Sequence, residues 1–255
     1  MNEINIVVPM AGRGSRFADA GYTLPKPLID IEGRAMIEIV IDNLRPARDH
    51  RFVFIAQRAH DEQFDLSARL HTWAPGSDVV LIDGVTEGAA CTVLTARDVI
   101  ALDAPLMIAN SDQYIDYSID AYLEASDDAG TDGFIMTMTA TDPKWSFIRF
   151  DGHGTPVGVA EKVPVSDVAT VGIYNFARGA DFVRSAEAMI AAEDRVNGEF
   201  YVAPVYDHLV AAGGTLGYHG IGSEAQGMYG LGTPADLELF LSLPVSRSAL
   251  RKVPA

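Results

Sequence analysis

An α/β fold with a mostly parallel, mixed sheet flanked by helices is predicted by three features of the sequence. Short apolar, β-branched runs recur at regular intervals, segments with helical spacing separate them, and the pattern changes to closely spaced strands after about residue 130. Ile4 to Pro9 (INIVVP) is bounded by Gly12 and Gly14 and reads as a first buried parallel strand. Met36, Ile37, Ile39, Val40, Ile41 and Leu44 lie at mixed helical spacing before Pro46. Phe52 to Ala56 is a second strand, followed by a helix through Phe64, Leu66 and Leu70. Val79 to Ile82 is a third strand, Gly88 to Ile100 a helix, and Leu106 to Ala109 a fourth strand. This alternation implies a doubly wound sheet with right-handed crossovers. Phe134 to Ala140, Phe147 to Phe150, Val157 to Val159 and Val168 to Phe176 then read as antiparallel or mixed strands appended to it. Helical signals return at Phe182 to Ala192 and near Phe200 to Ala212. With no repeat and no long linker, residues 1–243 read as one domain and 244–255 as a tail.

Bulk properties narrow the function. No stretch reaches the roughly 18 to 20 apolar residues of a membrane span, and the opening residues, from Asn2, lack the basic region of a signal peptide. Cys91 is the single cysteine, so no internal disulfide or cysteine-only metal site forms, and a cytoplasmic location is expected. A formal charge of −16 disfavours nucleic acid as a partner. A small anion is still admissible, because a few basic groups outweigh a distant field screened over about 8 Å.

The chemistry concentrates between Pro9 and Leu28. Gly12 and Gly14, directly after the first strand, let backbone N–H groups approach an anion, and Arg16 adds a planar multi-donor cation suited to phosphate. Lys26, between Pro25 and Pro27, is presented from a stiff local backbone. These residues, as Gly12-Arg13-Gly14-Ser15-Arg16-Phe17 and Pro25-Lys26-Pro27-Leu28, resemble the signatures of the sugar-nucleotide pyrophosphorylase family of nucleotidyltransferases. The resemblance implies a Rossmann-like, GT-A-like sheet with its site over the C-terminal strand ends. It also implies that Ala11, Gly12, Gly14 and Ser15 line the nucleotide, and that Arg16 and Lys26 bind a triphosphate and stabilise the pentavalent transition state.

Asp112 ends the apolar run that begins at Leu106. A hard cation suits such an oxygen, and a helix cap is the competing explanation; by resemblance Asp112 ligates Mg²⁺. Asp83 to Thr92 is similar to the family's base-recognition loop, with Asp83 and Gly88 as nucleotide-binding candidates. Cys91 reads as a packing residue. Glu161-Lys162, the run from Val171 through Gly172 to Tyr174, and Gly198-Glu199-Phe200 resemble acceptor-side motifs. They make Glu161, Lys162, Gly172 and Glu199 acceptor-binding candidates, and Gly232-Thr233-Pro234 resembles the turn before the last helix. Two departures stand out. Val163 replaces the proline that usually follows Glu-Lys, and Gly230 stands where many members carry a second metal-binding aspartate, leaving Asp112 with phosphates and water or a recruited carboxylate such as Glu224.

The expected reaction joins a nucleoside monophosphate to a phosphorylated small molecule and releases pyrophosphate. The compact length, Trp145 and Gly198-Glu199-Phe200 resemble small cytidylyltransferases, which favours CTP. A sugar 1-phosphate, a phosphorylated amino acid or alcohol, or a phosphonate for a surface polymer or capsule are acceptor options, with the N-terminal half of the domain facing the nucleotide and the C-terminal half the acceptor. Trp145, Tyr174 and Tyr201 are the aromatic candidates for cradling a cationic acceptor. A glycosyltransferase of related fold and a non-catalytic nucleotide-binding homologue remain as alternatives. A dinucleotide-dependent dehydrogenase fits poorly because Phe17 stands where its third glycine belongs. A homo-oligomer is compatible with the sequence, which carries no direct sign of one.

Overall fold

The structure, a computed structural model, describes residues 3–251; positions 1–2 of the expected domain, Asn2 among them, and 252–255 of the expected tail lie outside the described residues. In chain order, β1 (Ile4–Pro9) is followed by α1 (Ser15–Asp19), a 3₁₀ turn at Lys26–Leu28, a small hairpin of β2 (Asp30–Ile31) and β3 (Arg34–Ala35), and α2 (Met36–Leu44). Next come β4 (His50–Gln57), α3 (Arg58–Phe64), α4 (Leu66–Trp73), β5 (Asp78–Ile82), α5 (Ala89–Leu94), β6 (Leu106–Ala109), β7 (Gln113–Ile115) and α6 (Ile119–Ala129). The second half holds β8 (Gly133–Thr139), β9 (Ser146–Phe150), β10 (Pro156–Glu161), β11 (Val168–Phe176), α7 (Gly179–Ala191), α8 (Val205–Ala211), β12 (Leu216–Glu224), β13 (Gly227–Gly230), α9 (Pro234–Ser242) and α10 (Pro244–Ala249).

The sheet runs β5-β4-β1-β6-β11-β8-β12-β13-β7, with β9 and β10 attached at β11. Pairing is parallel from β5 to β6 and again for β8 with β12. β11 is antiparallel to both β6 and β8, so the appended strands extend the first sheet as the sequence predicts. In β1, Ile4, Ile6 and Val8 enter one core and Val7 the other. Burial on both faces is why this strand reads as a continuous apolar run and sits centrally.

Several boundaries differ from the sequence reading. The helix through Phe64 and Leu70 is two helices, divided at Asp65, whose left-handed backbone (φ 50°) ends α3. The helix expected from Gly88 to Ile100 stops at Leu94 and continues as turns. Near Phe200 the helix begins only at Val205, after Pro204. Residues 244–249, expected in a tail, form α10, which packs on the domain through buried Ala249. Arg34, 4% exposed, holds it there: its guanidinium donates to the Ala249 carbonyl at 3.2 Å, to Glu38 at 3.1 Å and to Asp42. No described helix is long and apolar enough to cross a membrane.

Candidate active site

Because β5, β4, β1 and β6 are parallel, their C-terminal ends open along one edge of the sheet, and the loops leaving them meet there. Gln57, at the end of β4, ties down the glycine loop: its Nε2 donates to the Ala11 carbonyl at 2.8 Å and to that of Gly12 at 3.3 Å. Gly14 adopts φ 61° and starts α1, and buried Phe17 anchors that helix. A Cβ at Gly14 would lie 3.3 Å from Lys26 Cβ, so the loop lies directly against the lysine. Ser15 and Arg16 follow within α1, both exposed. Among the described residues Arg16 makes no ion pair or side-chain hydrogen bond.

Lys26 opens the 3₁₀ turn, with Pro27 and Leu28 buried behind it. Its Nζ donates to Asp112 Oδ2 at 2.7 Å, each side chain being about a quarter exposed (23% and 26%). The strand-end aspartate and the proline-flanked lysine, 86 residues apart, are thereby in direct contact. The Asp112 carbonyl accepts from Leu231 N at 2.8 Å, and a Cβ at Gly232 would fall 2.8 Å from Asp112 Oδ2. The Gly-Thr-Pro turn lies against the carboxylate, and a larger residue at 232 would shift it.

Asp83 receives a hydrogen bond from Arg58 Nε at 2.9 Å and is exposed at the end of β5. Gly88 (φ 139°) is explained by packing: a Cβ would sit 2.4 Å from the Phe200 carbonyl oxygen and 2.5 Å from its nitrogen. Phe200 N donates to Glu87 O at 2.9 Å, and Ala90 N donates to Phe200 O at 3.0 Å. Arg195 fastens the same junction, pairing with Glu87 at 2.7 Å and lying 4.0 Å from the centre of the Phe200 ring. Burial first, then nearby Glu87, raises the Cys91 thiol pKa and keeps it protonated, as a packing residue requires.

Glu161 is buried at the end of β10 and accepts from Ser146 Oγ; desolvation raises its pKa from the ordinary glutamate value. Lys162 takes a left-handed backbone (φ 58°), its N donates to the Trp145 carbonyl at 3.1 Å, and its Nζ donates to Tyr201 Oη at 2.7 Å. Gly172 (φ 82°) leaves room for amides: a Cβ would meet Asn110 Nδ2 at 2.1 Å and Gln113 Oε1 at 2.7 Å. Glu199 is exposed, and among the described residues its side chain has no partner. The three candidate aromatics have separate neighbours, the Trp145 ring facing Lys144 Nζ at 4.8 Å. Tyr174 is 7% exposed with its hydroxyl bonded to Thr170, whereas the Tyr201 ring already faces Lys162 at 4.3 Å.

Gly230 pairs with Gln113, and the space beyond it belongs to Asp236, whose carboxylate accepts from Thr233 Oγ1 at 2.7 Å at the cap of α9. Glu224 is engaged by Lys144 at 2.5 Å. Among the described residues no three His, Cys, Asp or Glu side chains gather to hold a metal. Asp112, whose Oδ2 accepts from Lys26 Nζ, is the strand-end carboxylate that would hold a Mg²⁺ ion together with substrate phosphates. Sequence reasoning missed Gln57, Arg195 and Asn110. A single polar residue at a strand end or in a turn carries no pattern to find it by.

Residues 6–199 match the nucleotidyl transferase family. The chain belongs to that family. This nucleotidyltransferase is similar in fold to the nucleoside-diphosphate-sugar pyrophosphorylase of Vibrio cholerae RC9, with a TM-score of 0.80 and 25% identity over 93% of this chain and all of that one. Its fold also matches the inositol-1-phosphate CTP transferase of T. maritima, with a TM-score of 0.74 and 14% identity over 98% of each chain. A 67-residue stretch is 34% identical to a UTP–glucose-1-phosphate uridylyltransferase of Komagataeibacter xylinus, covering 25% of this chain and about a quarter (24%) of that protein's length.

Proposed function

We propose that this nucleotidyltransferase transfers a nucleoside monophosphate from a nucleoside triphosphate, with CTP favoured, to the phosphate or phosphonate of a small molecule, releasing pyrophosphate. The observation that carries this reading is the Lys26–Asp112 contact at 2.7 Å beside the glycine loop. A phosphate-binding cation and a cation-binding carboxylate share one point at the C-terminal edge of the sheet.

In this reading the backbone of residues 11–15 cradles the phosphates, and Arg16 and Lys26 offset charge as the α-phosphorus becomes five-coordinate. Asp112 would hold Mg²⁺, which would supply charge neutralisation to the bound phosphates. Asp83 and the loop around Gly88 border the base. Glu161, Lys162, Gly172 and Glu199 border the acceptor, with Lys162 receiving its phosphate. The acceptor oxygen is already anionic at neutral pH and attacks in line, so the enzyme's task is to bring anions together and orient them. Preference for CTP rests on the compact length, Trp145 and the Gly198-Glu199-Phe200 turn; a sugar 1-phosphate or another phosphorylated alcohol is the acceptor class. The described chain acts as one domain in the cytoplasm, with the helix at 244–249 packed on it.

The test is a matrix of the common nucleoside triphosphates, UTP included, against phosphorylated sugars, alcohols and phosphonates, reading pyrophosphate. Release that depends on both partners and is greatest with CTP supports the whole reading. Release with another nucleotide corrects the base assignment, and no release with any pair overturns the function.

A further inference from the structure

Lys162 is held more tightly than a substrate-facing lysine needs for charge alone. Its backbone occupies the left-handed region, costly for a residue with a Cβ, and strain of this kind persists where the surroundings fix the conformation. The backbone N–H is held by Trp145 O at 3.1 Å, and separately the ammonium is held by Tyr201 Oη at 2.7 Å, with the nitrogen 4.3 Å from the centre of the same ring. One residue thus offers the ammonium both an acceptor oxygen and a π face. Tyr201 is itself placed by its neighbour, since the Phe200 backbone is bonded to Glu87 and Ala90 on either side of Gly88. The two residues at 200 and 201 therefore join the nucleotide-side loop to the acceptor-side lysine.

We propose that Tyr201 is a positioning residue that fixes the Lys162 ammonium for the acceptor's phosphate. This rests on the acceptor-side reading of Lys162. The phenol restricts a side chain that otherwise has four rotatable bonds, and leaves the remaining ammonium hydrogens available to phosphate oxygens. Removing the hydroxyl frees the lysine to wander, so acceptor binding weakens, while the nucleotide's own contacts are untouched.

The experiment is a double-mutant cycle on binding of glucose 1-phosphate, used as the phosphate-monoester probe, to the full chain by calorimetry. It compares the unsubstituted protein with Tyr201→Phe, Lys162→Met and the double variant, with thermal melts as a check on folding and with nucleotide affinity measured in parallel. Tyr201→Phe keeps the ring and its packing, so it is the variant most certain to fold; Lys162→Met, at a half-buried turn, gives a second route to the same lysine. The expected result is a roughly fivefold to tenfold weaker Kd for Tyr201→Phe, a larger loss for Lys162→Met, and a double variant no weaker than Lys162→Met. Nucleotide affinity stays within twofold. Equal binding by Tyr201→Phe and the unsubstituted protein, losses that multiply in the double variant, or no binding of the probe at all overturns the proposal. Failure of the parent reading shows separately, as no pyrophosphate from any nucleotide–acceptor pair.

Discussion

Lys26 and Asp112 form an ion pair that joins a group suited to phosphate with one suited to a cation. Neither anchors a core: both are about a quarter exposed and their immediate packing is supplied by neighbours, Pro27 and Leu28 behind the lysine and the 231–232 turn against the aspartate. Lys26→Ala and Asp112→Ala should therefore keep the fold, visible as an unchanged far-ultraviolet spectrum, while lowering turnover at least about a hundredfold, the effect of losing roughly 3–4 kcal/mol of transition-state stabilisation. Glu161 gives a different prediction. Burial raises its carboxyl pKa above the ordinary glutamate value of 4.5, so its contribution to stability is complete below that pH and is lost as pH rises through the raised value. The stability of Glu161→Gln relative to the parent should accordingly improve from about pH 4 toward neutrality, in urea melts taken across that range. At this scale the motif residues were legible in the sequence, since glycines, prolines and charges at fixed spacing leave a written pattern. The role of Tyr201 was not: 39 residues separate it from Lys162, and only the fold makes them neighbours.

At the level of elements, the parallel half was readable because strands buried on both faces become unbroken apolar runs, as in INIVVP. α6 was missed although Ser118 caps it, accepting from Ala121 N, and Gly130 closes it in the left-handed conformation. Its acidic sequence, IDAYLEASDDA, buries only Ile119, Tyr122 and Leu123, too narrow a stripe to stand out. β12 (LGYHGIGSE) was missed for the opposite reason, its glycines reading as turns while its pairing with β8 supplies the regularity. Gly88 shows that a glycine in a recognised loop can have a packing cause. The Phe200 backbone occupies the place of its Cβ, so Gly88→Ala should cost about 2 kcal/mol or more and disturb both loops together. A chemical melt reads the cost, and weakened nucleotide and acceptor binding in the same variant reads the coupling.

For the molecule as a whole, the C-terminal helix is part of the structural unit, because buried Arg34 links α10 to α2 and to the hairpin that follows Lys26. Arg34→Met leaves Glu38 and Asp42 without their cation and the Ala249 carbonyl without its donor. Both carboxylates are partly exposed, so the cost should be about 2–3 kcal/mol rather than that of a fully buried pair, a fall in Tm of roughly 5–10 °C. An unchanged Tm would separate α10 from the cooperative unit. Across the whole chain, convergence at one edge of the sheet is what turns scattered motifs into a site. The claim that this site moves a nucleotidyl group is tested most directly by following label from a nucleoside triphosphate carrying ³²P at the α or the γ position, with the acceptor identified by pyrophosphate release. The account predicts that α label enters the acceptor product and γ label appears in pyrophosphate, both lost in Lys26→Ala. Transfer of γ label to the acceptor, or a product that retains no α label, would contradict it.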